Sequence, residues 1–391
     1  MTQALEGIRV LDLAPLLPGS LCTQMLADLG AEVIKIEGPN GGDSLRSAPP
    51  LIGTTGSFFH IANRNKKGIR LDLKQQRGRD VFIRMTGKSD VVIENFRPGA
   101  MRQMGLGYDD LKKVNDRLVY CSLTGFGQDS PYSQSPAHDI NFLGLSGILD
   151  LIGDKGGNPA VPGVQIAGAG GSLHAAIGIL AALLRREKTG RGQHIDVALL
   201  DGLTPFLGLV MSQYLTDHRL PRRGETLVGG GYAFYNVYET KDGKHITLGN
   251  VEKKYWITLC TLIGRPDLVE QQFAPSPRQD EIIEELRALF RQKTRHEWVD
   301  LLDDKDICFA PVNSLEEALQ DPHIRGRGLW FKANHPVDGE IPQQAFPIKF
   351  SEDQPGWKSP PPVLGEHTLE VLREMDFSEE EIRSLKAQGT I

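Results

Sequence analysis

The sequence is poor in the features that mark most specialised protein classes. Its four cysteines, Cys22, Cys121, Cys260 and Cys308, are scattered through 391 residues. That excludes a disulfide framework, and their spacing is not of the metal-binding kind, so no metal is expected. The formal charge of -6 is small and both signs are interspersed. A nucleic-acid binder would carry a basic excess, so none is expected as a partner. No apolar run is long and unbroken enough to predict a bilayer span, and no secretory leader is evident. These absences point to a reducing, cytoplasmic setting with no membrane partner.

What is present is an ordinary globular composition with abundant glycine. The length exceeds that of one usual hydrophobic core, so two domains are expected. Ile8–Leu13 reads as a strand, Leu21–Leu29 as a helix stopped by Gly30, and Glu32–Ile36 as a second strand. This opening resembles a dinucleotide-binding unit, but the loop Ala14 to Gly19 lacks the glycine fingerprint. Strands at Ile69–Leu73, Asp90–Glu94, Leu118–Leu123 and Asp196–Leu200 alternate with helices at Gln75–Gly87 and Tyr108–Val114. Such alternation predicts a mainly parallel, Rossmann-like α/β sheet covered on both faces.

The texture changes near Thr216. Lys241-Asp-Gly-Lys244 between two β-rich runs signals a hairpin, and helices are expected at Glu281–Phe290 and Glu297–Leu302. The reading is therefore a large α/β domain over residues 1–215, a linker and smaller α+β domain over 216–320, and a C-terminal segment, 321–391, returning to the large domain. Within that segment, Pro336 to Pro362 reads as an extended stretch laid over a surface.

The stretch from Ser135 to Ser172 is where the residues suggest chemistry. It holds an adjacent ionisable pair, His138 and Asp139. Its far end, Gly168 to Gly171, reads as a glycine-rich turn opening an apolar run. Free N–H groups at such a turn can hold an oxyanion, and a base beside them suits carbonyl chemistry.

Eight short motifs in order then resemble one family. Among them are Cys22-Thr-Gln-Met-Leu-Ala-Asp-Leu-Gly-Ala-Glu-Val-Ile-Lys-Ile-Glu37, Asn63-Arg-Asn-Lys-Lys-Gly-Ile-Arg-Leu-Asp-Leu-Lys74 and Glu94-Asn-Phe-Arg-Pro-Gly99. Later come His138-Asp-Ile-Asn-Phe142, Lys188-Thr-Gly-Arg-Gly-Gln193 and Pro311-Val-Asn-Ser-Leu-Glu-Glu-Ala-Leu319. The chain resembles the family III CoA-transferases, a superfamily that also holds the α-methylacyl-CoA racemases. The resemblance implies two chains threaded as an interlocked ring dimer, and coenzyme A or an acyl-CoA as substrate with a small carboxylic acid as acceptor. Lys66, Lys67, Lys74 and Arg97, at or near strand ends, read as cations for the CoA phosphates; the resemblance implies Leu71 and Lys74 at the nucleotide end, Asn95, Phe96 and Arg97 along the CoA channel, and an active-site glycine loop at Gly229, Gly230 and Gly231.

The departure from the family pattern is as informative. Transferases of this kind use an aspartate nucleophile, and racemases use the equivalent aspartate as one of two bases. The aligned stretch here is Gln165-Ile-Ala-Gly-Ala-Gly-Gly-Ser172, so Ala167 stands where the aspartate is expected. No aspartate lies between Asp154 and Asp196. His138, Asp139 and Glu252 still match the family's site positions. Three readings stay open. The chain is a transferase subunit whose nucleophile comes from a homologous partner, as in a benzylsuccinate-type hetero-oligomer. It is an α-methylacyl-CoA racemase or epimerase, and the dimer then is a homodimer or a pairing with a homologous subunit. Or it is a non-catalytic CoA-binding homologue.

Overall fold

A computed structural model describes residues 3–391. The chain divides into two compact units. The first comprises Met1–Phe142, Gln165–Leu203 and Pro322–Ile391; the second comprises Leu143–Val164 and Thr204–Asp321.

The first unit is built on six parallel strands: β1 (Arg9–Leu13), β2 (Glu32–Glu37), β3 (Lys66–Arg70), β4 (Val91–Glu94), β5 (Val119–Thr124) and β6 (Gln193–Ala198). Their spatial order is β3-β2-β1-β4-β5-β6, the doubly wound order. Side chains alternate between the sheet's faces. Leu11 and Leu13 join Ile34, Ile69 and Val92 on one face, under helix Gln76–Thr86 and the C-terminal helices Thr368–Glu374 and Glu379–Ala387. Val10, Val33, Ile93 and Cys121 line the other face, under α1 (Leu16–Asp28) and α2 (Ile166–Thr189). Burial on both faces explains the near-continuous apolar strands.

The structure departs from the sequence reading in several places: α1 starts at Leu16, inside the stretch read as a loop over Ala14 to Gly19, and β6 starts at Gln193 rather than Asp196. The third strand begins three residues early, at Lys66. The proline-rich stretch after Pro336 is partly a hairpin: β10 (Trp330–His335) pairs antiparallel with β11 (Gly339–Gln344). Pro342 sits opposite Lys332 in this two-stranded ribbon, where no third strand needs its missing N–H. Finally, α2 is long and apolar enough by composition to cross a membrane. Its Ala175, Ile179, Ala182 and Leu183 are instead buried on the sheet, so one face belongs to the core.

The second unit has its own core. Strands β7 (Tyr235–Glu239), β8 (His245–Gly249) and β9 (Phe309–Pro311) form an antiparallel sheet with β8 central. Phe234, Tyr238, Ile246, Trp256, Leu286 and Phe290 fill the space between this sheet and helices Lys253–Leu262, Arg278–Phe290 and Arg295–Leu302.

Candidate active site

In a doubly wound sheet, ligands bind beyond the strand ends where the strand order reverses. Here that switch lies between β1 and β4, and the two loops leaving it are tied together. Asn95 Nδ2 donates to the Pro15 carbonyl at 2.8 Å. The start of α2 closes against the first turn of α1, which follows that loop, since Ser172 Oγ donates to the Pro18 carbonyl at 2.9 Å. Gln134 Nε2 reaches the Pro98 carbonyl at 3.0 Å, bringing the segment before His138 to the β4 loop. Asn95, Arg97, Asp139 and Ala167 thus belong to one cluster of loops and one helix start.

The first turn of α2 differs from the expectation. Gly168 to Gly171 is not a turn; it lies inside the 24-residue helix, with no positive φ among its glycines. Close approach explains the glycines instead. A Cβ on Gly171 would come within 2.2 Å of Leu199 Cδ2, and one on Gly168 within 3.0 Å of Leu17 Cδ2. Nor is this helix start free to hold an oxyanion. Asp139 Oδ2 accepts the Ile166 N–H at 3.0 Å, and its Oδ1 accepts the Gly168 N–H at 2.8 Å. Asp139 is a helix cap with both oxygens engaged, which fits it for positioning rather than attack. Between those two N–H groups sits Ala167, its methyl fully buried. His138 is exposed, and its backbone N–H donates to Asn141 Oδ1 at 2.9 Å.

The basic candidates separate sharply. Lys66 cannot face a phosphate. Its ammonium is enclosed, 3.2 Å from Asp12 Oδ2, 2.8 Å from Asn63 Oδ1 and 3.1 Å from the Ser20 carbonyl. Burial pulls its pKa down to about 8 despite the nearby Asp12 carboxylate. Lys67 is held by Glu32, Glu370 and Glu374 at 2.9 to 3.0 Å. Leu71 is a core residue. Phe96 packs partly against the same core. Lys74 and Arg97 are exposed, so they are the cations in this set available to an anionic ligand.

One group went unnoticed in the sequence. Glu94, at the end of β4, is buried, and burial pushes its carboxyl up to about 7. Its Oε2 accepts the Phe96 N–H at 2.9 Å, and the Ser122 hydroxyl is its second partner. Ser122 Oγ also lies 3.0 Å from His194 Nε2. The Glu94–Ser122–His194 line borders a 270 Å³ cavity that Arg97, Arg102 and Tyr108 share. Glu94 opens the motif Glu94-Asn-Phe-Arg-Pro-Gly99, and nothing in that run marks its carboxyl as buried.

The second unit carries the remaining candidates. Gly229 and Gly230 line a 1520 Å³ cleft with Asn236, Thr247 and Cys308, and Asn236 Nδ2 donates to the Gly230 carbonyl at 2.8 Å. Gly231 follows them in the same loop, and its N–H donates to the Thr226 carbonyl. Glu252 is exposed at the start of helix Lys253–Leu262.

A parallel sheet in doubly wound order, covered by helices on both faces, defines an α/β protein of the kind that takes ligands beyond its strand ends. The family model for CoA-transferase family III matches residues 5–368, and the chain belongs to that family. It is 34% identical to mouse succinyl-CoA:glutarate CoA-transferase, over 99% of this chain and 90% of that protein. It is 37% identical to mouse α-methylacyl-CoA racemase, over 99% and 97%. Against formyl-CoA:oxalate CoA-transferase of Streptomyces avermitilis the identity is 33% over the full length of both. Among solved structures, a CaiB/BaiF family protein from Brucella suis superimposes with a TM-score of 0.83 at 32% identity, covering 96% of this chain and all of that one.

Proposed function

We propose that this chain is a CoA-transferase subunit that binds CoA or an acyl-CoA at the switch-point crevice and relies on a homologous partner chain for the nucleophile. The observation that carries this reading is Ala167. A covalent transfer through an anhydride and an enzyme-bound thioester needs a carboxylate within reach of the thioester carbonyl. Ala167 offers a buried methyl, and the neighbouring Asp139 is committed to capping α2. Family membership and the exposed Arg97 and Lys74 support the ligand class. The unpaired thiols of Cys22, Cys121 and Cys260 support a reducing, cytoplasmic setting. An interlocked dimer, with a second copy or with the homologous subunit, completes the proposal.

The test is to incubate the purified chain with an acyl-CoA and a carboxylic acid, then trap with hydroxylamine. No transfer and no hydroxamate are expected from the chain alone. Ala167→Asp is expected to gain both. Because that position is buried, co-purification of a partner from the native host provides an independent check. Robust transfer by the unaltered single chain would sink the subunit reading.

CoA binding is testable separately. Calorimetry should show an affinity that weakens with salt, because phosphate contacts are ionic. Arg97→Ala is expected to weaken it about tenfold, the value of one charge-assisted hydrogen bond.

A second reading, racemase action on 2-methylacyl-CoA thioesters, is favoured by exposed His138 and by the 37% identity to the mouse racemase. It predicts solvent deuterium uptake at the α-carbon, abolished by His138→Ala. CoA binding with neither activity and no partner would leave the non-catalytic reading.

A further inference from the structure

A second polar cluster lies in the first unit, on residues no family motif includes. It joins three segments: the short helix Ser57–Ala62, the end of β10, and the turn between β10 and β11. They supply His60, His335 and Asp338. All three side chains are shut away from solvent, at 0%, 3% and 2% exposure.

Two ring nitrogens converge on one carboxylate oxygen. His60 Nε2 lies 3.3 Å from Asp338 Oδ2, and His335 Nδ1 lies 3.4 Å from the same oxygen. Neither ring nitrogen of His60 has a hydrogen-bond partner, and neither does Asp338 Oδ2. The Ile52 backbone lies near the His60 ring but outside hydrogen-bond geometry. Buried polar atoms without partners are rare and each calls for a cause.

The surroundings fix which atoms are bare. His335 Nε2 lies 3.1 Å from the Pro361 carbonyl, so the ring's proton sits there and Nδ1 presents a lone pair. The N–H groups of Asp338 and Val337 point at that lone pair, at 3.0 and 3.3 Å, so a proton on Nδ1 would clash with them. Asp338 Oδ1 takes both the N–H and the hydroxyl of Thr54, at 2.7 and 3.0 Å, and the Thr55 side chain lies near the carboxylate, while Oδ2 has no partner of hydrogen-bond geometry. A histidine backed by a carbonyl and a carboxylate held by its other oxygen are the outer-shell pattern of metal ligands. The two histidine–carboxylate separations suit it as well, and all three ligand atoms lie within 4.8 Å of one another. Two ligand atoms about 2.0 to 2.1 Å from a tetrahedral ion stand about 3.3 to 3.4 Å apart.

We propose that His60, His335 and Asp338 form a site for a divalent ion of the zinc class, with two imidazoles and one carboxylate oxygen as ligands. The ion accepts the lone pairs of His60 and Asp338 that nothing else receives. At His335 it displaces the two backbone N–H groups that Nδ1 now accepts. It clamps the β10–β11 hairpin, the hairpin of residues 51–56 and the helix Ser57–Ala62 to one point. A water would complete the four-coordinate shell; with its protein ligands buried, and on segments other than the loops at the sheet's switch point, the ion would hold structure, and zinc's preference for nitrogen and carboxylate donors selects it over magnesium or calcium.

The experiment uses the full chain, purified without a polyhistidine tag, and elemental analysis. About one zinc ion per chain is expected. Cobalt exchanged for zinc should give the visible absorption bands of a tetrahedral site, and chelator should lower the melting temperature. His60→Gln and Asp338→Asn should each remove the cobalt bands. Should a variant fail to fold, the cobalt spectrum of the parent chain decides. Parent chain with no bound metal, no cobalt bands and no melting shift with zinc or chelator overturns the proposal. So does cobalt absorption that persists in a folded His60→Gln chain, which would place the ion elsewhere.

Discussion

Buried charge separates the roles of residues that look alike in the sequence. Asn63, Arg64 and Lys66 come from one polar run, yet all three are buried. Arg64 is clamped on Asp28 by two hydrogen bonds, from Nε at 2.9 Å and Nη2 at 2.5 Å, and Lys66 sits among Asp12, Asn63 and Ser20. A polar run gives no sign of such burial, because the partners Asp12 and Asp28 come from β1 and α1, far back in the chain. Lys74 and Arg97 share the same charge and remain outside. Glu94 illustrates the energetic side. Its folded-state carboxyl titrates near 7, above the usual 4.5, so the fold favours the protonated form. The stability this form provides is complete below pH 4.5, declines as pH rises to 7, and is absent above that. Glu94→Gln removes the buried charge. It is expected to stabilise the chain by up to about 3 kcal/mol above neutrality and by little at acid pH. Urea denaturation of both chains at pH 5 and pH 8 checks this; equal differences at the two values would refute it.

At the scale of elements, the central sheet was readable because its strands are buried on both faces. Arg9–Leu13 and Val119–Thr124 are mostly apolar and buried, with apolar side chains pointing to both faces, and helical segments separate successive strands. What misled was glycine. Gly-Ala-Gly-Gly suggests a turn when read locally, but here it starts a long helix that must approach Leu17 and Leu199 closely. That demand comes from tertiary packing, which no local pattern encodes. The cap of this helix was equally hidden. Asp139 lies 27 residues before Ile166, so it is not the adjacent cap a sequence scan finds. Its role predicts a measurable loss. Asp139→Ala removes two charge-assisted hydrogen bonds from a helix start and should cost about 1 to 2 kcal/mol. Asp139→Asn, which can still accept one of them, should cost less. Chemical denaturation gives the comparison, and an unaltered Asp139→Ala midpoint would remove the cap from the account. The metal-type cluster was invisible for a related reason: His60 and His335 stand at opposite ends of the sequence and meet only when β10 and β11 fold back.

At the scale of the molecule, α2 poses a problem of exposed apolar surface. Its inner face, Ala175, Ile179, Ala182 and Leu183, is buried on the sheet. Its outer face also carries apolar side chains: Leu173, Ile177 and Leu184 are 51%, 62% and 69% exposed. Their spacing of four and then seven residues places them on one stripe. A helix that is apolar on both sides is one that something covers. In the second unit, Phe206, Leu209, Met211, Leu215 and Leu220 form another exposed apolar stretch. A partner chain of the same family is the expected cover, in line with the interlocked dimer proposed above. Each Leu or Ile withdrawn from water contributes about 1.5 to 3 kcal/mol, so in such an assembly the stripe on α2 would supply a substantial share of the binding. Ile177→Asp places a carboxylate there. In an assembly that carboxylate must be desolvated without a partner, at a cost well above the loss of the isoleucine alone. Light scattering should therefore give a dimer for the parent chain that persists on dilution, and a smaller or aggregated species for Ile177→Asp. Circular dichroism separates loss of assembly from loss of fold. A parent chain that is a stable, soluble monomer, with Ile177→Asp indistinguishable from it, would show that α2 meets water and that no second chain is needed.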